Sequence, residues 1–311
     1  MATLRLCALL NLKGAQAQRR AALCLASRRL KKEGMEGQKR RQVKYHESEH
    51  YSRLAPRRAD NSNPLVAWLN NYRLHKMTEM IGMPLAGKTV LSVCGGDGEE
   101  ADFVQRLGAR VTMIDLSPVA VEAAQLRNSA VDCRCMDAER LQFADASFDW
   151  AMVREGLHHL ARPIQGLYEM DRVSREGFVL MEGQDSPVVR LLSKIGIAEN
   201  WDPSGGYVYR FSRREIHKIF ASLQTLREFR IHTAWLPYGN DVLRYFPMFR
   251  RFFYPAINSP IVLHVIASKP GRYLLQGAFA SLTHLIGRWG NSLIVVARKQ
   301  STAHLPGGPV G

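Results

Sequence analysis

The residues best placed to do chemistry stand at the ends of short apolar runs: Asp115, Asp137, Arg154, the pair His158 and His159, and Glu182. With them goes a turn, Cys94-Gly95-Gly96-Asp97-Gly98, that follows the apolar, β-branched run Thr89 to Val93. Glycines let a backbone approach a ligand closely, and a helix starting just after them offers free N–H groups. An acid about 20 residues further on, at the tip of the next strand, can accept both hydroxyls of a ribose. That combination is a unit for holding a nucleotide-type cofactor. Nicotinamide, flavin and sulfonium cofactors all use it, so the choice among them has to come from downstream.

The elements that must position these groups can be read from hydrophobic period. Thr89–Val93 reads as a buried parallel strand, and Glu99–Leu107 as a helix carrying Ala101, Val104 and Leu107, closed by Gly108. Arg110–Ile114 is a second strand ending on Asp115; Ser117 and Pro118 start a helix over Val119–Asn128; Val131–Met136 is a third strand ending on Asp137. Asp145–Asp149 turns into a fourth strand, Trp150–Val153, and the loop Arg154–Arg162 carries both histidines. Pro163 opens a helix through Val173 with Ile164, Leu167 and Tyr168 on its buried face, and Phe178–Met181 is a fifth strand ending at Glu182. Strands alternating with helices imply a parallel sheet covered on both faces, with ligands at the carboxyl ends of the strands.

On either side of this core the pattern changes. Upstream, Asn63 and Pro64 signal a helix running to Ile81, with Leu65, Trp68, Leu69 and Tyr72 on one face. Downstream, Ser212–Leu223 reads as a helix with Glu215 completing a capping box, and Leu226–Leu236 as a strand. The segment Pro237–Arg288 then intervenes before a last strand, Asn291–Ala297; it includes RYFPMFRRFFYP (244–255) and YLLQGAFASLTHLIGRW (273–289).

The net charge of +15 is unevenly spread: residues 1–44 hold 12 Lys or Arg against Glu33 and Glu36, so +10 of it lies there. A strongly basic chain often binds nucleic acid, but here the charge belongs to a tail and not to a groove, so a nucleic-acid partner is not expected. The five cysteines have no framework spacing and read as reduced thiols; Cys133 and Cys135 alternate along one strand, poor geometry for a shared metal, and no metal is expected. No apolar run reaches the roughly 18 residues of a membrane span. Residues 1–32 lack any acid and carry Arg5, Arg19, Arg20, Arg28 and Arg29, a composition that fits a mitochondrial-type presequence or a basic surface-binding helix. An extension from an upstream start codon, or a disordered tail, fits as well. The expected location is cytoplasmic with contact to a membrane surface, or mitochondrial if residues 1–32 are a presequence.

Three stretches taken in order carry a family resemblance: VLSVCGGDGEEA (90–101), MDAERLQFADASFDWAMVREGLHHLARP (136–163) and FVLMEG (178–183). The chain resembles a class I S-adenosylmethionine-dependent methyltransferase, closest to the small-molecule group called type 11, over about 87–182; GNSLIVVARK (290–299) is similar to the closing strand of such domains. The resemblance implies an α/β, Rossmann-like doubly wound sheet, mostly parallel with an antiparallel last strand, in three αβα layers with a helical lid insertion. The division it suggests is a basic extension over 1–44, disordered or helical, a methyltransferase domain over 45–300 with a helical arm (45–86) and a lid (237–289), and a disordered tail over 301–311.

It also implies roles. Cys94, Gly95, Gly96 and Gly98 would turn under the methionine part of S-adenosylmethionine, Asp115 with Leu116 would hold the ribose, and Asp137 with Ala138 would meet the adenine edge. Arg154 would border the methyl group and the substrate, and His159 matches a histidine common at this place. Ser92 stands where the group usually has an acid fixing the cofactor's amino group, and Cys94 replaces the first glycine; Asp97 or Glu99 could restore the charge. Methyl transfer from a sulfonium is an in-line displacement in which the protein aligns the reactants and excludes water. A hydroxyl nucleophile also needs a base, for which His159 and then His158 are candidates. Glu182 suits a substrate contact or a cap, Asp149 a structural carboxylate, and Tyr45 and Tyr51 either an aromatic cover for the sulfonium or plain packing. The late segment suits a lid over an apolar, lipid-like acceptor, a surface resting on a bilayer, or helical core. An RNA methyltransferase and an inactive cofactor-binding subunit stay open as alternatives; a nicotinamide-dependent reductase lacks its third glycine, where Ala101 stands.

Overall fold

The computed structural model describes residues 37–45, 64–195, 198, 200–201, 206–236 and 259–300. The expectations for 1–32, Tyr51, Asn63, the aromatic and basic run 244–255 and the tail 301–311 lie outside these residues.

Seven strands form one sheet: β1 (Thr89–Val93), β2 (Arg110–Asp115), β3 (Asp132–Cys135), β4 (Phe148–Arg154), β5 (Ser174–Gly183), β6 (Leu226–Ala234) and β7 (Ser292–Lys299). Their spatial order is β3-β2-β1-β4-β5-β7-β6. The first five run parallel, and β7 inserts antiparallel between β5 and β6. Strand order reverses at β1 and β4, so the crevice that a doubly wound sheet offers opens at their carboxyl ends. The glycine turn follows β1 there, and Arg154 ends β4.

Side-chain alternation splits the core into two layers. Val90, Met113, Trp150, Met152, Val179, Met181 and Ile294 face one side, where helix α2 (Pro64–Ile81) contributes Leu74, Met77 and Ile81, and α3 (Glu99–Arg106) contributes Ala101 and Val104. Leu91, Val93, Ala151, Val153, Phe178, Leu180 and Val295 face the other, under α5 (Pro163–Val173) and α7 (Arg213–Ser222). α4 (Pro118–Arg127) follows β2, and α6 (Pro187–Lys194), which the hydrophobic pattern did not announce, starts from Ser186 with Pro187 in its first turn. Within α5 the buried row is Leu167, Met170 and Val173; Tyr168 points outward, one position off the expected face. Leu107 is likewise exposed, because α3 ends at Arg106 and Gly108 already turns the chain at φ 88.

The late insertion folds into α8 (Pro260–Ala267) and α9 (Lys269–Ile286), the latter started by Ser268 as N-cap. Phe279 of α9 stacks with Trp68 at 6.3 Å and meets Tyr72 of α2 at 6.1 Å. The insertion therefore sits on the same face as the pre-strand helix. One more helix, α1 (37–45), straddles the boundary expected at 44/45 and docks on the crevice side.

Candidate functional site

The turn after β1 shows why glycines stand in it. Gly96 has φ 55 and Gly98 φ 79, a region L side chains rarely adopt. A Cβ on Gly95 would lie 2.3 Å from Met113 Cγ, and one on Gly98 2.7 Å from Ala124 Cβ. The Gly95 N–H donates to the Ile114 carbonyl and the Gly98 N–H to that of Gly95, each at 2.9 Å, so the turn is pinned to β2. Cys94 itself is left-handed, with φ 54. That explains why glycine is the easier residue there, and Gly156 supplies the room the thiol needs: a Cβ on Gly156 would lie 2.4 Å from Cys94 Cβ. Burial, then the charges of Asp115, Glu182, Asp137 and Glu100, hold the Cys94 thiol protonated, well above its ordinary range.

Asp115 ends β2 beside this turn. Its Oδ2 accepts the Gly96 N–H at 3.0 Å and its Oδ1 the Ser117 N–H at 2.9 Å, so one carboxylate clasps both loops of the crevice. Leu116 lies between them, its carbonyl facing Cys135 Sγ at 3.4 Å. Asp137 follows β3 and accepts the Glu139 N–H at 2.9 Å, while Ala138 beside it is buried. Lys39 of α1 reaches Asp137 at 2.6 Å and Glu139 at 3.1 Å. Burial alone would lower the Lys39 ammonium's pKa, but the two carboxylates outweigh it and raise it. Gln42, one helical turn along, is buried and donates to the His159 carbonyl. The N-terminal segment thus closes on the two groups expected to meet adenine and acceptor.

Arg154 is ion-paired with Glu99 at 2.7 Å, and Asn70 of α2 also donates to Glu99, at 3.2 Å. Burial opposes the Arg154 charge, and Glu99, Glu100 and Glu155 together more than restore it. Glu155, left-handed at φ 55, receives both terminal nitrogens of the buried Arg73. Although burial pushes its carboxyl up, Arg73, Arg154 and His158 hold it below the usual carboxylate range. His158 and His159 form a short 3-10 turn with ring centroids 4.1 Å apart. His158 Nδ1 lies 2.9 Å from Glu182, and the other oxygen of that fully buried carboxylate accepts the Leu157 N–H at 2.7 Å. Glu182 thus orients the His158 ring.

Both acids expected to replace the missing charge at Ser92 are ion-paired. Asp97 pairs with Arg127 at 2.8 Å and Glu99 with Arg154. It is Glu100 that meets Ser92, Oγ to Oε1 at 3.0 Å, both buried. Burial pushes the Glu100 carboxyl up to about 7 against the pull of Arg154 and of the Ser92 hydrogen bond; Glu99 and Glu182 add to the rise. Asp149 is structural as expected: it accepts the Thr89 N–H at 2.8 Å and hydroxyl at 2.9 Å and pairs with Arg175 at 2.7 Å. No cluster of three metal-ligating side chains occurs among the described residues.

All ten residues expected in the site therefore gather at the carboxyl ends of β1 to β4. Lys39, Gln42, Arg73, Glu100 and Glu155 join them. Glu100 and Glu155 lie inside two of the stretches that carry the resemblance, which gives neither of them a role, and no motif marks Lys39, Gln42 or Arg73. Carboxylates outnumber cations here, Glu99, Glu100, Asp115, Asp137, Glu139, Glu155 and Glu182 against Lys39, Arg73 and Arg154, so the crevice favours a cationic ligand.

Comparison with known proteins agrees. Residues 91–181 match the family described as a methyltransferase domain. A demethylmenaquinone methyltransferase of Clavibacter sepedonicus is 30% identical over 134 residues, 42% of this chain and 55% of that protein. The mitochondrial ubiquinone biosynthesis O-methyltransferase of Schizosaccharomyces pombe is 28% identical over 187 residues, 55% of this chain and 67% of that protein. The aligned part spans between 38% and 67% of these and further curated relatives. In fold, the magnesium protoporphyrin IX methyltransferase of Synechocystis PCC 6803 superposes with a TM-score of 0.51 at 14% identity, covering 85% of this chain and 100% of that one. Sheet order, glycine turn and the match over residues 91–181 agree on the fold of a class I methyltransferase domain.

Proposed function

We propose that the chain transfers a methyl group from S-adenosylmethionine to an oxygen or carbon nucleophile of a small, lipid-like acceptor. The observation that carries this is the crevice itself: a glycine turn with no room for a Cβ at Gly95 or Gly98, clasped to Asp115 and set among buried carboxylates. Those residues suit the cofactor's chemistry. A ribose needs an acceptor for its two hydroxyls, which Asp115 supplies, and a molecule bearing ammonium and sulfonium charges needs an anionic surround. Leu116 would border the ribose and Asp137 with Ala138 the adenine. Once bound, the cofactor supplies an electrophilic methyl group. The chain's own work is to hold and orient. Arg154, fixed by Glu99, borders the reaction space, and the histidine pair stands where an acceptor's proton would leave; His159 is anchored through its carbonyl to Gln42.

The acceptor class rests on relatives named for quinone biosynthesis and on the surface of the late helices. Ile261, Tyr273, Leu274 and Leu285 are exposed there, no Asp, Glu, Lys or Arg lies between Arg272 and Arg288, and no acid follows Asp241. An uncharged face with basic ends suits contact with an anionic bilayer from which such an acceptor is drawn. No described helix is long and apolar enough to cross a membrane. The chain would work at a cytoplasmic membrane surface; residues 1–32 suit a mitochondrial address as the alternative, in line with the relative named as mitochondrial.

The test is transfer of labelled methyl from S-adenosylmethionine to a demethylated, prenylated quinol, with unmodified transfer RNA in parallel. Label in the organic extract of the first reaction supports the reading. Label only in the RNA would replace it.

A further inference from the structure

We propose that Glu100, braced by Ser92, receives the ammonium group of the cofactor and fixes its amino-acid end beneath the glycine turn. The assignment rests on the cofactor reading above and adds a binding residue to it. The position is set by packing: a Cβ on Gly95 would lie 3.2 Å from Ser92 Oγ, so the Ser92–Glu100 pair sits directly against the turn. α3 begins at Glu99 immediately after that turn and points Glu100 back at the sheet, where it is only 4% exposed.

The carboxylate is under-used. It has about four acceptor positions, yet among the described residues Ser92 is its one hydrogen-bond partner. A buried carboxylate with one neutral donor is costly unless a cation completes it. The cations around it are committed elsewhere, Arg154 to Glu99 at 2.7 Å and Arg73 to Glu155, while Glu99 and Glu182 add like charge. The other acids near the turn are engaged, Asp97 with Arg127 and Asp115 with the N–H groups of Gly96 and Ser117. A compact donor with positive charge, brought in by a ligand whose other end lies at Asp115, meets all of these conditions.

Calorimetric titration of the full chain and of Glu100→Gln with three ligands tests this. S-adenosylmethionine carries ammonium and sulfonium, S-adenosylhomocysteine the ammonium alone, and 5′-methylthioadenosine neither. Loss of a charge-assisted contact should weaken the first two alike, by about 10- to 100-fold, and leave methylthioadenosine within about twofold. A second variant, Ser92→Asp with Glu100→Gln, returns a carboxylate to the same spot and should recover most of the lost affinity. Equal weakening of all three ligands would make Glu100 merely structural, weakening of S-adenosylmethionine alone would assign it to the sulfonium, and indifference of all three would remove it; each overturns the proposal while the cofactor reading stands. Failure of the unaltered chain to bind any of the three would remove both.

Discussion

Replacing Glu100 by glutamine should make the protein more stable, by an amount that depends on pH. Its carboxyl titrates at about 7 in the fold, raised by burial, against an ordinary 4.5. Between those two values the folded chain binds more protons than the unfolded one, so stability falls as pH rises and levels off above pH 7. At about 1.4 kcal/mol per pH unit, the fold gives up about 3 kcal/mol across that window. Glutamine keeps the shape and a hydrogen bond to Ser92 and has no proton to lose. Urea denaturation of both proteins from pH 5 to 8.5 should give midpoints that nearly coincide at pH 5 and separate progressively, the variant being the more stable by about 3 kcal/mol at pH 8. Saturating S-adenosylmethionine should narrow the gap, because only the native residue gains its counter-charge. A constant difference across the whole range would show that Glu100 keeps an ordinary carboxyl and would refute the reasoning. The cost of an uncompensated buried charge is the kind that binding sites carry.

Further outcomes follow from the same geometry. Asp115→Asn should weaken all three adenosine ligands, methylthioadenosine included, by about 100-fold, since the ribose is common to them; titration checks it, and a loss confined to the amino-acid ligands would contradict it. Lys39→Ala removes the ion pairs to Asp137 and Glu139. Hydrogen exchange over 37–45 should quicken severalfold, matching a loss of about 1 kcal/mol; unchanged protection would mean that contacts other than those of Lys39 hold the helix. Leu274→Glu with Leu285→Glu, at positions 74% and 77% exposed, should abolish co-sedimentation with phosphatidylglycerol vesicles and leave the melting temperature unchanged; retained binding would move the contact elsewhere.

The parallel core was legible in the sequence because its signals are local. A β-branched run leading into glycines gave β1 and one ending on an acid gave β2, Pro163 and Val173 bound α5 as expected, and the capping box at Ser212 and Glu215 forms as expected. The acids at strand tips were legible for the same reason: in a parallel sheet, chain position dictates which end of the crevice a residue reaches. What escaped is whatever depends on contacts distant in the chain. The ion pairs from Lys39 to Asp137 and from Arg73 to Glu155 span 98 and 82 residues, and neither partner carries a pattern naming the other. Which acid touches Ser92 escaped for a subtler reason. Asp97, Glu99 and Glu100 are near neighbours in sequence, and only the direction in which the first turn of α3 projects each one decides that Glu100 reaches the sheet. Tyr168 was misplaced by a similar one-position error in helical phase.

The central claim, a crevice shaped for S-adenosylmethionine, is tested most directly by titrating the full chain with S-adenosylmethionine, S-adenosylhomocysteine and NADH in parallel. Saturable binding of the first two with none of the third is the predicted result. Binding of NADH alone, or of no ligand, would contradict the account.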